Sequence, residues 1–167
     1  WHGGITDSFR ANTGYQFMTG GQFVAHPGNC IPRYDVAVTD DTHTITKNIS
    51  GFTLTDTERY YMHTDPANHV LCTTTFIGES DGADLYPAGT VIPYAWTRQY
   101  GRGRVFVACW GHTFRDFDVP EAAAAGGEGR GARVGRRDAA GEVRCPRDVV
   151  RQPGRDQKKA PRNACLL

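Results

Sequence analysis

All eighteen aromatic residues of this 167-residue chain lie between Trp1 and Pro120, and the last 47 residues hold none. A packed core needs large apolar side chains, because the burial of each contributes about 1.5–3 kcal/mol against the entropy of ordering the chain. The core is therefore expected within residues 1–120, a length that suits one domain. Charge breaks at the same point: from Glu121 onward 11 Lys and Arg face 6 Asp and Glu, leaving 8 against 12 of the chain's 19 and 18 for the body. The segment 121–167, rich in Gly, Arg, Ala and Pro, is too poor in apolar area to order itself and is expected to be a disordered tail. GC-rich coding DNA translated out of frame gives the same composition, which is a second expectation for it. A basic tail can also hold phosphates, but with no aromatics interleaved for base stacking, nucleic acid is not expected as a partner.

Five cysteines without CxxC spacing (Cys30, Cys72, Cys109, Cys145 and Cys165) argue against a disulfide framework or a zinc knuckle. No apolar run approaches the ~18 residues of a membrane span, so no membrane partner is expected, and a reducing, cytoplasmic compartment is the default.

Along the body, NTGYQFMTGGQFVAHPGN mixes aromatics with Gly and Pro and reads as a loop with one short helical turn. YDVAVTD alternates as a half-buried strand, and HVLCTTTF reads as another, ended by the polar loop GESDGADLYPAGT. VIPYAWTRQYGRGRVFVACWGH reads as two strands about a turn at Tyr100 to Gly103. The nearly unbroken apolar run RVFVACW suggests a strand buried on both faces. Trp96, Trp110 and Phe106 read as core. The Gly-x-Gly between Arg98 and Arg104 sits between strands rather than opening a helix, so it is not a dinucleotide fingerprint. The body is thus strand-rich, with few helices of its own.

Five blocks, in this order and spacing, carry a family likeness: WHGGITDSF, YQFMTGGQFVAHPG, ERYYMHTDPANHVLCTTTF, AWTRQYGRGRVFVACWGH and DFDVPEA. They resemble the ThuA-like (trehalose utilisation) domain over residues 1–120. The resemblance implies an α/β fold, a three-layer flavodoxin-like, class I glutamine amidotransferase-like domain with a mostly parallel sheet covered by helices. In that family a strand and helix precede the His-Gly-Gly and a last helix follows DFDVPEA. The chain is accordingly expected to be an incomplete domain, lacking its N-terminal strands and carrying the Gly/Arg tail in place of the last helix. The amidotransferases hold a nucleophilic Cys where His2 stands here, so glutamine-dependent amide transfer is not expected.

What the resemblance implies for function is action on trehalose or a related disaccharide, as an oxidised (keto) sugar or its glycoside, with a small carbohydrate as the partner. A non-catalytic carbohydrate-binding or structural domain is the alternative. Imidazole suits proton transfer near neutral pH. His2, at a turn where open α/β sheets collect ligands, and His112, just past a late strand, are the first candidates for acid/base work. His63 and Asp65 lie two apart, on one face if extended, so that the carboxylate can orient the imidazole. Those two and Glu58 are further catalytic candidates. Gly3, Gly4, Asp7, Tyr15, His26 and Tyr61 are candidates for binding sugar; of Tyr60 and Tyr61, one is expected to pack inward and one outward. No cofactor is assigned. A divalent metal is open to His2, His26, His63 or His112 with Asp65, although no HxH or HExxH spacing enforces one. His43 and His69 lie in polar, turn-like contexts and read as surface residues.

Overall fold

In a computed structural model of the chain, residues 1–78 and 85–131 are described, the last four by backbone alone. The chain divides into units 1–134 and 135–167, and the second lies wholly outside the described residues, as does part of the loop expected over 78–90. Seven strands and two α-helices make up the described part: α1 Thr13–Thr19, β1 Gly21–Ala25, β2 Cys30–Val38, β3 Phe52–Glu58, β4 Tyr61–Thr64, β5 His69–Phe76, β6 Thr90–Tyr100, β7 Gly103–Ala108 and α2 Pro120–Gly131. Short 3-10 turns cover His2–Gly4 and Phe114–Asp118.

Two sheets form, one of β1 and β4 and one in the order β3-β2-β5-β6-β7. Every pairing among the described strands is antiparallel. The mostly parallel sheet implied by the resemblance is thus not what these strands make, though the domain is a mixed α/β one. The reason is in the connections: a parallel pair needs a crossover of a dozen or more residues, normally a helix, whereas β6 and β7 are joined through Gly101 and Arg102 alone. No α-helix lies between β2 and β7 among the described residues.

The strand read from HVLCTTTF is β5, and the turn read at Tyr100 to Gly103 closes the β6–β7 hairpin in register. Two readings need correction. GQFVA, read as loop, is the strand β1; only Gly21 and Phe23 point inward, so its alternation carries one bulky apolar side chain and is lost among the flanking Gly and Pro. Among the described residues, RVFVACW is not covered on both faces. Strand β7 ends the order of the five-stranded sheet, and Val105 and Phe106 are only half-buried while Val107 and Ala108 are buried. The outer half of the strand lines an open groove of about 690 Å³ together with His43, His69, Arg98 and Arg104.

The core joins both sheets through aromatic side chains. Trp96 and Trp110 are wholly buried, and each indole N–H is satisfied by a carbonyl, Trp96 with Thr19 at 2.8 Å and Trp110 with Ala122 at 3.3 Å. The second bond ties α2 to the sheet edge, and Ala122 and Ala125 are buried with it. A helix therefore stands where the Gly/Arg tail was expected to replace one, and it opens that tail's first eleven residues.

Helix α1 is capped at both ends. The Asn12 side chain accepts from the Tyr15 N–H, and Gly20 ends the helix in the left-handed region at φ 73°. A Cβ on Gly20 would lie 2.1 Å from both Arg98 Nη1 and Asn68 Oδ1. Those side chains form the clasp behind it: Arg98 donates to Asp65 and Asn68, and Asn68 donates to the Gly20 carbonyl at 2.7 Å. Gly20→Ala is expected to destabilise the protein by about 1–3 kcal/mol from the left-handed backbone alone, with the clash added, as read by urea unfolding.

Candidate functional site

Three segments far apart in sequence deliver the site. His2 begins the turn His2–Gly4, Glu58 ends β3 and His112 follows β7. His2 Nε2 stands 3.4 Å from Glu58 Oε2, and His112 Nδ1 stands 3.2 Å from the same oxygen. On the other carboxylate oxygen, Oε1, His26 Nε2 approaches to 3.9 Å. The His2 and His112 rings face each other with centroids 5.1 Å apart. Of the sequence candidates, then, His2, Glu58, His112 and His26 come together around one carboxylate.

His2 is the most constrained of them. Its backbone is left-handed at φ 48°, a conformation that costs a non-glycine residue about 1–3 kcal/mol and persists only where the surroundings impose it. The surroundings here are Tyr60, whose ring lies 4.1 Å from the imidazole and whose hydroxyl meets Nδ1 at 3.2 Å. Gly3 must be small because a Cβ there would sit 3.2 Å from that hydroxyl. Burial is the main force lowering the His2 imidazole to about 4, and the facing His112 adds to it, while Asp116 and Asp7 act the other way. At neutral pH the ring is therefore uncharged. The Tyr60 phenol is pushed up, first by burial and then by the Glu58 carboxylate, so it too is neutral.

The position of His112 is set by a residue that the sequence reading missed. Asp116 is buried, and its Oδ2 accepts from the Gly111 N–H at 2.9 Å, the His112 N–H at 2.9 Å and the Thr57 hydroxyl at 3.0 Å. Because Thr57 precedes Glu58, one carboxylate fixes the end of β3 to the turn that carries His112. Gly111 allows that turn, at φ 102°, in a place where a Cβ would be 2.6 Å from Trp1. The available signal is Thr113-x-x-Asp116, the spacing of a capping box, and the Thr113 hydroxyl does reach Asp116 Oδ1 at 3.4 Å.

The remaining candidates lie elsewhere or around the rim. Gly3 and Gly4 line an open groove of about 580 Å³ with His2 and Ser8. Asp7 pairs with Arg10, and the Tyr15 hydroxyl donates to the Gly4 carbonyl at 3.2 Å. Tyr60 is buried and Tyr61 half-buried, with the Tyr61 ring on Phe76 and Tyr86. His63 is exposed on β4, opposite Gln22 in the register, and is not gathered with the cluster. Asp65 accepts from the Ala67 N–H and from Arg98, both of which hold its carboxyl below the usual range. It belongs to the α1 clasp, so the carboxylate beside the histidines is Glu58 and not Asp65. The larger groove contains none of the cluster; it is lined by His43 and His69, whose rings lie 5.4 Å apart, and His69 Nε2 pairs with Asp40 Oδ2 at 2.8 Å.

Of the three cysteines described, Cys30 is exposed opposite Glu58 in the β2–β3 register, and Cys72 and Cys109 are buried. Burial pushes Cys72 up to about 12 and raises Cys109 as well, so both stay protonated near neutral pH. What the arrangement can do is move protons between two imidazoles and a carboxylate, or hold a cation: His2, Glu58 and His112 each place a donor atom within 4.8 Å of the others.

The described residues thus form a mixed α/β domain that gathers two imidazoles and a carboxylate. The model of the family ThuA, described as trehalose utilisation, matches residues 1–129, and the chain belongs to that family, whose domains have the class I glutamine amidotransferase-like fold. No curated protein and no solved structure gave a significant match. Among the described residues, no helix is long and apolar enough to cross a membrane.

Two outcomes are expected. Asp116→Asn leaves the Thr57, Gly111 and His112 donors sharing a neutral group that itself carries N–H donors, and should cost about 1–3 kcal/mol in urea unfolding. Because His2 binds its proton less readily folded than unfolded, its contribution to stability is full above the unfolded value near 6.5 and is lost as pH falls toward 4. Unfolding measured in chelator from pH 7.5 to 4 should show a loss of up to about 3 kcal/mol that His2→Asn lacks.

Proposed function

We propose that this trehalose-utilisation family member acts on an oxidised (keto) sugar or its glycoside at the cluster of His2, Glu58 and His112. The observation that carries the reading is the single carboxylate oxygen of Glu58 lying 3.4 Å from one imidazole and 3.2 Å from another. A ketone one carbon away from the glycosidic carbon acidifies the C–H between them. A base can remove that proton, and an acid can deliver one to the departing glycosidic oxygen; water then adds to the resulting double bond, and the sum is hydrolysis. No nucleophilic thiol is required, in keeping with the protonated state of Cys72 and Cys109.

In this reading His2 and His112 handle the protons, and Glu58 sets their orientation and charge. A neutral imidazole at His2 is in the form that accepts a proton. His26, on the second oxygen of Glu58, together with Gly3, Gly4, Asp7 and Tyr15, would meet the sugar hydroxyls at the rim. Tyr61, with its ring on Phe76 and Tyr86, has the weakest case among the binding candidates.

The test is turnover of a 3-keto-disaccharide, with the unoxidised disaccharide alongside it. His112→Gln and Glu58→Gln are each expected to lower turnover by about 10²–10⁴, the range of general acid–base catalysis, with folding verified by circular dichroism. Unchanged turnover in both folded variants, or equal rates on the oxidised and unoxidised sugars, would sink the reading.

A further inference from the structure

The spacings within the cluster are unusual for hydrogen bonds. A charge-assisted N–H···O⁻ contact closes to about 2.7–2.9 Å. The contacts of Glu58 Oε2 with His2 and His112 are 3.4 and 3.2 Å, and His2 Nε2, on a side chain only 9% exposed, has no hydrogen-bond partner among the described residues. An orphaned ring nitrogen beside a carboxylate is costly to leave so, since a buried polar atom without a partner forfeits about 1–3 kcal/mol. The two separations instead lie at or within about 0.1 Å of the edge of a coordination tetrahedron, with all three donors inside 4.8 Å. With metal–nitrogen and metal–oxygen bonds of about 2.0–2.2 Å, two donors on one four-coordinate ion stand roughly 3.3–3.5 Å apart.

We propose that His2, Glu58 and His112 form a binding site for one divalent cation of the zinc class. Two imidazoles and one carboxylate are the donor set that borderline ions of this class take, and three protein ligands leave a fourth position for water or substrate. The supporting groups are of the kind that orient metal ligands. The Tyr60 hydroxyl engages His2 at Nδ1 and so leaves Nε2 to face Glu58, and the buried Asp116 anchors the backbone of His112. His26 approaches the other oxygen of Glu58 and lies outside the three. Constraint at His2 has the same sense: a left-handed residue, locked between Tyr60 and the glycines that follow, presents its nitrogen without rearrangement.

For the place of the sugar the inference rests on the function proposed above, and it deepens that reading. A cation at the cluster supplies the positive charge that polarises a ketone oxygen, and the vicinal hydroxyl and carbonyl of a keto sugar are oxygen donors suited to the open position. With an ion bound, His2 and His112 would hold it instead of handling protons directly, and the base of the reading above would be water on the ion.

The experiment uses the full chain stripped with chelator and no sugar. Titration with Zn²⁺ by calorimetry should give one ion per chain. Titration with Co²⁺ should give the intense visible bands of a four-coordinate site. Glu58→Gln and His112→Gln should each weaken binding by more than about 100-fold, the upper end of what removing a group that merely orients a ligand costs. His69→Asn, which removes an exposed imidazole outside the cluster, should leave it unchanged. X-ray absorption of the loaded wild-type protein should count two imidazoles and one carboxylate, a readout that holds even if a variant fails to fold. Absence of stoichiometric binding, binding that survives both cluster variants, or a ligand count without two imidazoles would overturn the proposal. Stoichiometric binding without turnover of the 3-keto-disaccharide in the loaded protein would overturn the sugar reading and leave the cation site standing.

Discussion

The Asp116 carboxylate is the constraint on which the rest of the site depends. This buried group accepts from four donors in two segments, and one of its oxygens serves three of them. A single acceptor with three donors leaves little freedom in direction, so the end of β3 and the turn after β7 must meet at a fixed separation. Glu58 and His112 are the residues next to those anchors. Their 3.2 Å approach is thus a consequence of how a buried charge is solvated by the protein around it.

His2 is held by other means. Stacking on Tyr60, the hydroxyl contact and the lack of a side chain at Gly3 wedge the imidazole from one side. The second sheet makes this possible, because β4 begins at Tyr61 and Phe23 of β1 packs edge-on against Tyr60 at 4.6 Å. The strand that the sequence hides most completely, β1, is therefore part of what positions the first catalytic candidate.

Much of the sheet could be read in advance where the physics is local. HVLCTTTF has β-branched residues throughout and became β5, and the Gly-rich break after Tyr100 became a hairpin turn. Strand direction was legible only where a connection is as short as that between β6 and β7; the expectation of a mostly parallel sheet came from the family likeness and not from the residues. For RVFVACW, an apolar run signals burial without telling which side is covered, and Val105 and Phe106 turned out to face an open groove. At the site, residue chemistry brought forward His2, Glu58, His112, His63 and Asp65 together; the structure gathers the first three, while Asp65, paired with His63 by spacing alone, sits in the α1 clasp. Its charge is taken by Arg98, which lies 33 residues on. Asp116 escaped because its partners lie both beside it and 59 residues before it.

The three donors stand at positions 2, 58 and 112, so that no two share an element. An unfolded chain cannot bring them within 5 Å of one another except by closing two long loops, each of which carries its own entropy. The site therefore exists only when both sheets do, and occupancy and folding become one equilibrium. Anything that occupies the cluster at a hundred times its dissociation constant adds about 2.7 kcal/mol to the stability of the whole domain, edge strand included. A domain that holds a left-handed histidine in that cluster would draw part of its persistence from such a ligand, and its lifetime would rise and fall with supply.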